Sequence, residues 1–289
     1  MERDSQNQDL FKNPDLHQAL RGFLDEDLGR GDITGAAIFA PAMTGSAIFI
    51  AKETMVLAGV EHLAPLVFQT LNPAISCQPQ ADGRRVEAGE IILRLAGPLR
   101  DLLAAERLAL NLCQHLSGIA TLTAAFVAAV AGLPVQIMDT RKTTPGLRAL
   151  EKYAVRVGGG VNHRFNLNDG ILIKDNHIAA AGSIAAAVRK VREYNRRNME
   201  VEVECETLAQ VEEALAAGVE IIMLDNMSPA LMGRAVARIR GRAVTEASGG
   251  VNLANVREIA ASGVDRISIG ALTHSAPARD ISMEIAKVS

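Results

Sequence analysis

Four short apolar runs in the C-terminal part of the chain recur at nearly constant spacing. They start at residues 201, 221, 243 and 266, so the steps are 20, 22 and 23 residues, the size of one compact strand-plus-helix unit. Between the runs, segments 207–217, 228–240 and 252–262 carry apolar residues at helical spacing. Ser228 before Pro229 reads as an N-cap with proline at the first helical position, and Gly218, Gly241 and Gly263 read as helix stops. Two earlier runs, 135–138 and 171–173, extend the series to six. Consecutive strand–helix units give a parallel sheet covered by helices. No G-x-G-x-x-G follows the first run, which disfavours a dinucleotide-binding sheet. Six strands are too few for a full eight-stranded closure. The expectation is an α/β protein whose C-terminal part is an incomplete parallel α/β barrel.

The N-terminal third has no such period. An amphipathic helix is expected over 15–27, strands over 46–51, 55–58 and 91–95, and a helix over 61–71, which describes a mixed α+β domain. Residues 99–131 form a long Ala/Leu-rich helical stretch, expected to break near Ser117-Gly118. His115 within it reads as a satisfied core or interface residue. The expected domains are 1–115, with 276–289 returning to it, and 116–275.

Composition removes several classes of function. Aromatic residues are 3 % of the 289 and Trp is absent, so the stacking platforms of a single-strand nucleic-acid surface are missing. A formal net charge of -3 gives no bulk attraction to nucleic acid or membrane. The three cysteines, Cys77, Cys113 and Cys205, show no C-x-x-C spacing and fit a reducing compartment. The first ten residues are polar, and the most apolar stretch, 124–138, is interrupted by Gly132 and Pro134. A cytoplasmic protein is expected.

In a parallel barrel, reactive groups collect where strands end. The first run ends in Asp139-Thr140-Arg141-Lys142, the second in Lys174-Asp175-Asn176-His177, the third in Glu204 and the fourth in Asp225-Asn226. The fifth runs into Glu246-Ala247-Ser248-Gly249-Gly250, and the sixth, closing on Ile269, ends at Gly270-Ala271. His163 and Arg164 lie in the intervening loop. Arg141, Lys142, Arg164 and Lys174 suit carboxylate or phosphate. Glu204 and Asp225 suit Mg²⁺ or sugar hydroxyls. The turn 248–250, ahead of a helix, offers backbone N–H groups to a phosphate. From Asp139 to His177 there are seven Lys/Arg against four Asp/Glu, so 7 − 4 = +3 on a chain of net -3. That focus favours an anionic ligand.

Each feature has a plainer reading. A single strand-end cation is ordinarily a solvated rim charge. Glu204 and Asp225 could cap the following helices, and Gly249-Gly250 could be a simple turn. Glu202 alternates with Glu204, and only one of the two is expected to face the barrel interior. Convergence of six strand ends on one chemistry carries the case.

Those stretches resemble the quinolinate phosphoribosyltransferase family. The resemblance rests on DEDLGRGDIT (25–34), ERLALNLCQHLSGIAT (106–121), DTRKTTPGLR (139–148), EKYAVRVGGGVNHR (151–164), ILIKDNH (171–177), VEVE (201–204), LDN (224–226), EASGG (246–250) and GVDRISIGALTHS (263–275). It implies an N-terminal α/β sandwich domain followed by the incomplete barrel. It implies decarboxylating transfer of phosphoribose from 5-phosphoribosyl-1-pyrophosphate to quinolinate, giving nicotinate mononucleotide for NAD synthesis. Arg141, His163, Arg164 and Lys174 would hold the quinolinate carboxylates, with Lys142 bordering the site and counted among the catalytic residues. Glu204 and Asp225 would be catalytic too, holding ribose hydroxyls and Mg²⁺. Ser248, Gly249, Gly250 and Gly270, with Ile269 and Ala271 on either side, would surround the phosphate. No organic cofactor is implied. A homodimer is, with Arg107 reaching the neighbouring subunit's site. Two alternatives share the pattern: a paralogue associated with molybdenum transport, and a non-catalytic barrel binding a phosphorylated metabolite.

Overall fold

The computed structural model describes residues 9–288, which divide into two compact units. The first comprises residues up to Leu122, with Thr144–Gly158 and the segment from Ala276 onward; the second comprises Thr123–Thr143 and Gly159–Ser275.

In the first unit, helix α1 (Pro14–Leu28) starts where sequence chemistry dictates. The Asn13 side chain accepts the Asp15 N–H, and Pro14, lacking an N–H of its own, takes the first turn. Helix α2 (Ile33–Ile38) is capped by Asp32, whose carboxylate accepts the Gly35 N–H at 3.0 Å. Strand β1 (Thr44–Ala51) buries alternate residues, Ala47, Phe49 and Ala51, as period two requires. It lies inside a four-stranded antiparallel sheet of order β12-β1-β5-β3, with β3 (Ser76–Pro79), β5 (Ile91–Pro98) and β12 (Ile281–Val288). A small ribbon pairs β2 (Met55–Val56) with β4 (Arg85–Val86). Phe49 meets Phe68 of α3 (Leu63–Leu71) at 6.0 Å between ring centroids, so this helix covers the sheet.

The long helix α4 (Leu99–Ala129) is unbroken, contrary to the expected interruption near Ser117-Gly118. Gly118 serves close packing instead. A Cβ there would lie 2.3 Å from the Pro277 carbonyl oxygen, so glycine admits the returning chain. That chain is tied to the same helix by Arg279 N–H to Gln114 O (3.0 Å) and by Gln114 Nε2 to Ile281 O (2.8 Å). Ser117 is buried, and its hydroxyl accepts the Ala58 N–H at 3.1 Å. His115 is satisfied by Glu151 of helix α5 (Arg148–Val157) at 2.8 Å. By length and composition α4 could cross a membrane, but half of its apolar window is buried within the structure, as a core helix would be.

The second unit carries the six-stranded parallel sheet, in order β6-β11-β10-β9-β8-β7. Its strands are β6 (Gln136–Met138), β7 (Ile171–Ile173), β8 (Val201–Cys205), β9 (Ile221–Asp225), β10 (Val244–Ser248) and β11 (Arg266–Ser268). The first and last strands of the unit are neighbours, while β6 and β7 end the row. The curl is therefore continuous from β7 round to β6, and the seam between those two leaves the barrel incomplete. One parallel bridge, Met138 to Val161, extends the β6 side of that seam.

Helices α6 (Asp175–Ala181), α7 (Ile184–Tyr194), α8 (Leu208–Ala216), α9 (Pro229–Ile239) and α10 (Val256–Ala261) separate the later strands. Thr207 and Gln210 form a reciprocal capping box at the start of α8, and Ser228 caps α9 ahead of Pro229. Helix α10 begins later than the expected residue 252, because Asn252 and Asn255 are spent on the preceding turn: both side-chain amides donate to the Gly250 carbonyl. The short helix α11 (Ala271–His274) follows β11.

Candidate active site

The C-terminal strand ends of the second unit line one cavity of about 590 Å³. Arg141, Lys142, His163, Arg164 and Lys174 border it together with Glu204, Asp225, Ser248, Gly249 and Gly250. The expected cationic and acidic halves therefore share one space. Leu172, Ile178 and Met223 supply apolar lining.

Each side of the mouth has a local cause. After β6 the chain turns sharply: the Lys142 N–H meets the Thr140 hydroxyl at 3.0 Å and the Thr143 N–H meets the Arg141 carbonyl at 2.9 Å. The Thr273 hydroxyl then donates to the Lys142 carbonyl at 2.7 Å, pinning this turn to α11. Gly270 lets the Lys142 stem pass, since a Cβ there would stand 2.9 Å from Lys142 Cδ. Asp139, fully buried, accepts the His163 N–H at 2.8 Å and the Asn162 amide at 2.6 Å, so it fixes the loop carrying His163 and Arg164. Arg164 Nη1 donates to the Gly170 carbonyl at 2.9 Å. Burial, then the like charge of Arg141, hold the Arg164 guanidinium below its usual value. Arg141 Nε is itself buried without a hydrogen-bond partner. Two guanidiniums this close, one incompletely satisfied, ask for an anion.

On the opposite side, Glu204 and Asp225 end the adjacent strands β8 and β9. Lys174 Nζ, at the end of β7, reaches Glu204 Oε1 at the end of the neighbouring strand β8 at 2.9 Å, so the cationic and acidic stretches of the rim meet there. Both carboxylates offer the hard oxygen atoms that Mg²⁺ takes, and Lys174 engages only one oxygen of Glu204, so the donor set fits that ion. Contrary to the expectation from sequence, the turn 248–250 does not lead directly into a helix. Helix α10 starts only at Val256, so any phosphate contact here comes from loop N–H groups. Gly249 and Gly250 have φ of +92° and +61°, a backbone that other residues adopt with strain.

Below the mouth lies a cluster that the sequence reading did not assign. His163 Nε2 stands 3.1 Å from Glu202 and 3.4 Å from Glu246, both carboxylates being buried. Glu202 and Glu204 thus both face the barrel interior. The expectation that only one could do so was wrong: residues two apart on a strand share a face, one layer below the other. The Ser268 hydroxyl donates to Glu246. Burial opposes charge on the imidazole, yet the two carboxylates outweigh it and push its pKa up to about 9. Burial raises the Glu202 carboxyl as well. The Arg164 N–H approaches His163 Nδ1 at 2.8 Å, which places the proton of the neutral ring on Nε2. Three donor atoms this close could hold a metal. A metal would, however, have to displace a proton that the two carboxylates hold on this ring well above its ordinary pKa, so the cluster suits hydrogen bonding better.

Arg107, Ile269, Gly270 and Ala271 are not among the lining residues. Arg107 is an exposed residue of α4, in the first unit, and Ile269 is buried. Gly270 shapes the site through Lys142. Asn226 and Ser268 line the cavity without having been assigned roles from sequence.

The sequence profile of the quinolinate phosphoribosyl transferase N-terminal domain matches residues 32–117, and that of the C-terminal domain matches 119–284. The chain belongs to the quinolinate phosphoribosyltransferase family. Among curated relatives in this family, a probable carboxylating nicotinate-nucleotide pyrophosphorylase of Synechocystis is 47 % identical over 272 residues, covering 93 % of this chain and 92 % of the relative. A similarly named Bacillus subtilis protein is 45 % identical, with 93 % of each chain covered. The crystal structure of NadC from Streptococcus pyogenes superposes with a TM-score of 0.90 at 44 % identity, over 94 % of this chain and 96 % of that one.

Proposed function

We infer that the chain is a quinolinate phosphoribosyltransferase: it joins quinolinate to 5-phosphoribosyl-1-pyrophosphate and releases pyrophosphate and carbon dioxide, giving nicotinate mononucleotide for NAD biosynthesis. The observation that carries this reading is the single cavity in which a guanidinium-rich wall faces two carboxylates beside a glycine turn. The first wall suits a pyridine dicarboxylate; the second suits a sugar phosphate.

Both substrates are polyanions and repel one another. Arg141, Arg164 and Lys174 offset that repulsion and hold the pyridine nitrogen in line with the anomeric carbon, which removes orientational entropy from the barrier. The nitrogen lone pair forms the new C–N bond as the C–O bond to pyrophosphate breaks. Glu204 and Asp225 stabilise the positive charge developing on the ribose carbon and fix its hydroxyls. Mg²⁺, when bound to Glu204 and Asp225 directly or through substrate, supplies charge neutralisation for the departing pyrophosphate. The alkylated ring is then its own electron sink. The carboxylate beside the nitrogen leaves as carbon dioxide, its bonding pair stays on the ring carbon, and a proton completes the product. Lys142 and His163, which both border the cavity, are the candidates for delivering that proton. Ser248, Gly249, Gly250 and Gly270 with its neighbours take the phosphate.

A homodimer is part of the proposal, with Arg107 of one subunit completing the other subunit's quinolinate site. So is a cytoplasmic location, which suits the three unpaired cysteines. The test is an assay of nicotinate mononucleotide formation from both substrates with Mg²⁺ present. Carbon dioxide release from quinolinate, and no equivalent use of nicotinate, is the expected result. Binding of both substrates without turnover would point to a sensor instead.

A further inference from the structure

Asn226 lies at the mouth of the cavity, one residue past Asp225, in left-handed backbone with φ of +53°. Three contacts leave it, each to a different part of the sugar-phosphate wall. Its side-chain amide nitrogen donates to Asp225 Oδ2 at 2.9 Å. Its backbone N–H donates to the Ser248 carbonyl at 2.9 Å, tying the end of β9 to the end of β10. Its amide oxygen fills the space over Gly249: a Cβ at Gly249 would lie 2.1 Å from Asn226 Oδ1. The fit is reciprocal. Gly249 lacks a side chain where the Asn226 amide sits, and Asn226 adopts a backbone that asparagine tolerates far better than a branched or bulky residue.

We propose that Asn226 is a positioning residue for the phosphoribosyl substrate: it locks the carboxylate that meets the ribose and the turn that meets the phosphate into one fixed spacing. The proposal rests on the function inferred above and adds a determinant of sugar-phosphate recognition. Asp225 has a free rotation about its Cα–Cβ bond; the Asn226 amide removes that freedom on one side of the carboxylate. The turn 248–250 contains two glycines and would otherwise sample many conformations. A ribose phosphate spans both groups, so their relative placement matters to it. Quinolinate meets the opposite wall and is indifferent to the link.

Two variants separate side chain from backbone. Asn226→Gly keeps the left-handed backbone and the link to Ser248 but deletes the amide. Asn226→Asp keeps the shape and places a second carboxylate against Asp225. Steady-state kinetics with each substrate varied in turn is the readout. For Asn226→Gly, KM for 5-phosphoribosyl-1-pyrophosphate should rise roughly tenfold, the scale of one lost hydrogen bond to a charged group, while KM for quinolinate stays within about twofold. Asn226→Asp should raise the same KM further, through like-charge repulsion. An unchanged KM for the sugar phosphate in Asn226→Gly overturns the proposal, as does an equal rise for both substrates. Should Asn226→Gly not fold, the isosteric Asn226→Asp decides alone by the same selectivity. Wild-type protein inert with both substrates would defeat the function itself, an outcome distinct from any change confined to the variants.

Discussion

His163 Nε2 stands 3.1 Å from a Glu202 carboxylate oxygen, with Glu246 only slightly farther away at 3.4 Å. A histidine with two buried acids about one nitrogen binds its proton tightly. Replacing Glu246 by Gln removes one of the charges and should bring the imidazole pKa down from about 9 toward its ordinary 6.5. Titration of the histidine ring resonances measures this, and an unmoved pKa would remove Glu246 from the account. The sign for stability follows. A pKa raised by folding stabilises the native state fully below pH 6.5 and loses that contribution as pH climbs through about 9. Unfolding measured across that window should show a drop that His163→Asn lacks.

Arg141 offers a direct test of the anion wall. Its Nε is buried with no partner, and its charge already weighs on Arg164. Arg141→Ala should weaken quinolinate binding by about 2–4 kcal/mol, the cost of losing a charge-paired contact. Calorimetry with quinolinate reads the change, and wild-type affinity in the variant would contradict the assignment.

Much of this architecture was legible beforehand because local and global preferences agree. The six parallel strands coincide with six short apolar runs, and three of the intervening helices stop where glycines stand, at Gly218, Gly241 and Gly263. The strand-end cations and carboxylates could be placed because a parallel barrel gathers them at one rim. What stayed hidden depended on contacts distant in sequence. Gly118 looked like a helix break, since glycine is a poor helix former, and its actual neighbour, Pro277, is far along the chain. The Glu202–His163–Glu246 cluster joins two strands and a loop. Its one visible sign was the two-residue spacing from Glu202 to Glu204, which means a shared face. The role of Asn226 needed the location of Gly249, on the neighbouring strand's end.

Gly118→Ala should be costly although alanine is the better helix former. The added methyl carbon would meet the Pro277 carbonyl oxygen at 2.3 Å, with the Pro277 carbonyl carbon at 3.0 Å, and backbone cannot rotate aside as a side chain can. Overpacking of this kind costs about 1–3 kcal/mol, more than the ~1 kcal/mol that helix propensity returns at its most favourable. Denaturant unfolding should show a lower midpoint with little change in slope. Equal or greater stability would mean that the 276–280 segment shifts freely and that its contact with α4 is dispensable.

The dimer proposal makes a prediction that single-subunit chemistry cannot imitate. Arg107 is exposed on α4, whereas Lys174 lines the cavity. Arg107→Ala and Lys174→Ala should each abolish most activity alone. If Arg107 acts on the partner's site, a mixed dimer of the two variants contains one site with both defects and one with neither. Random reassortment makes half the dimers mixed, so activity should return to roughly a quarter of wild type. Were Arg107 to serve its own subunit, each site in the mixed dimer would carry one defect and nothing would return. Refolding the two variants together, verifying subunit mixing by native mass spectrometry, and assaying nicotinate mononucleotide therefore separates the arrangements; absence of rescue in verified mixtures counts against sharing across the interface.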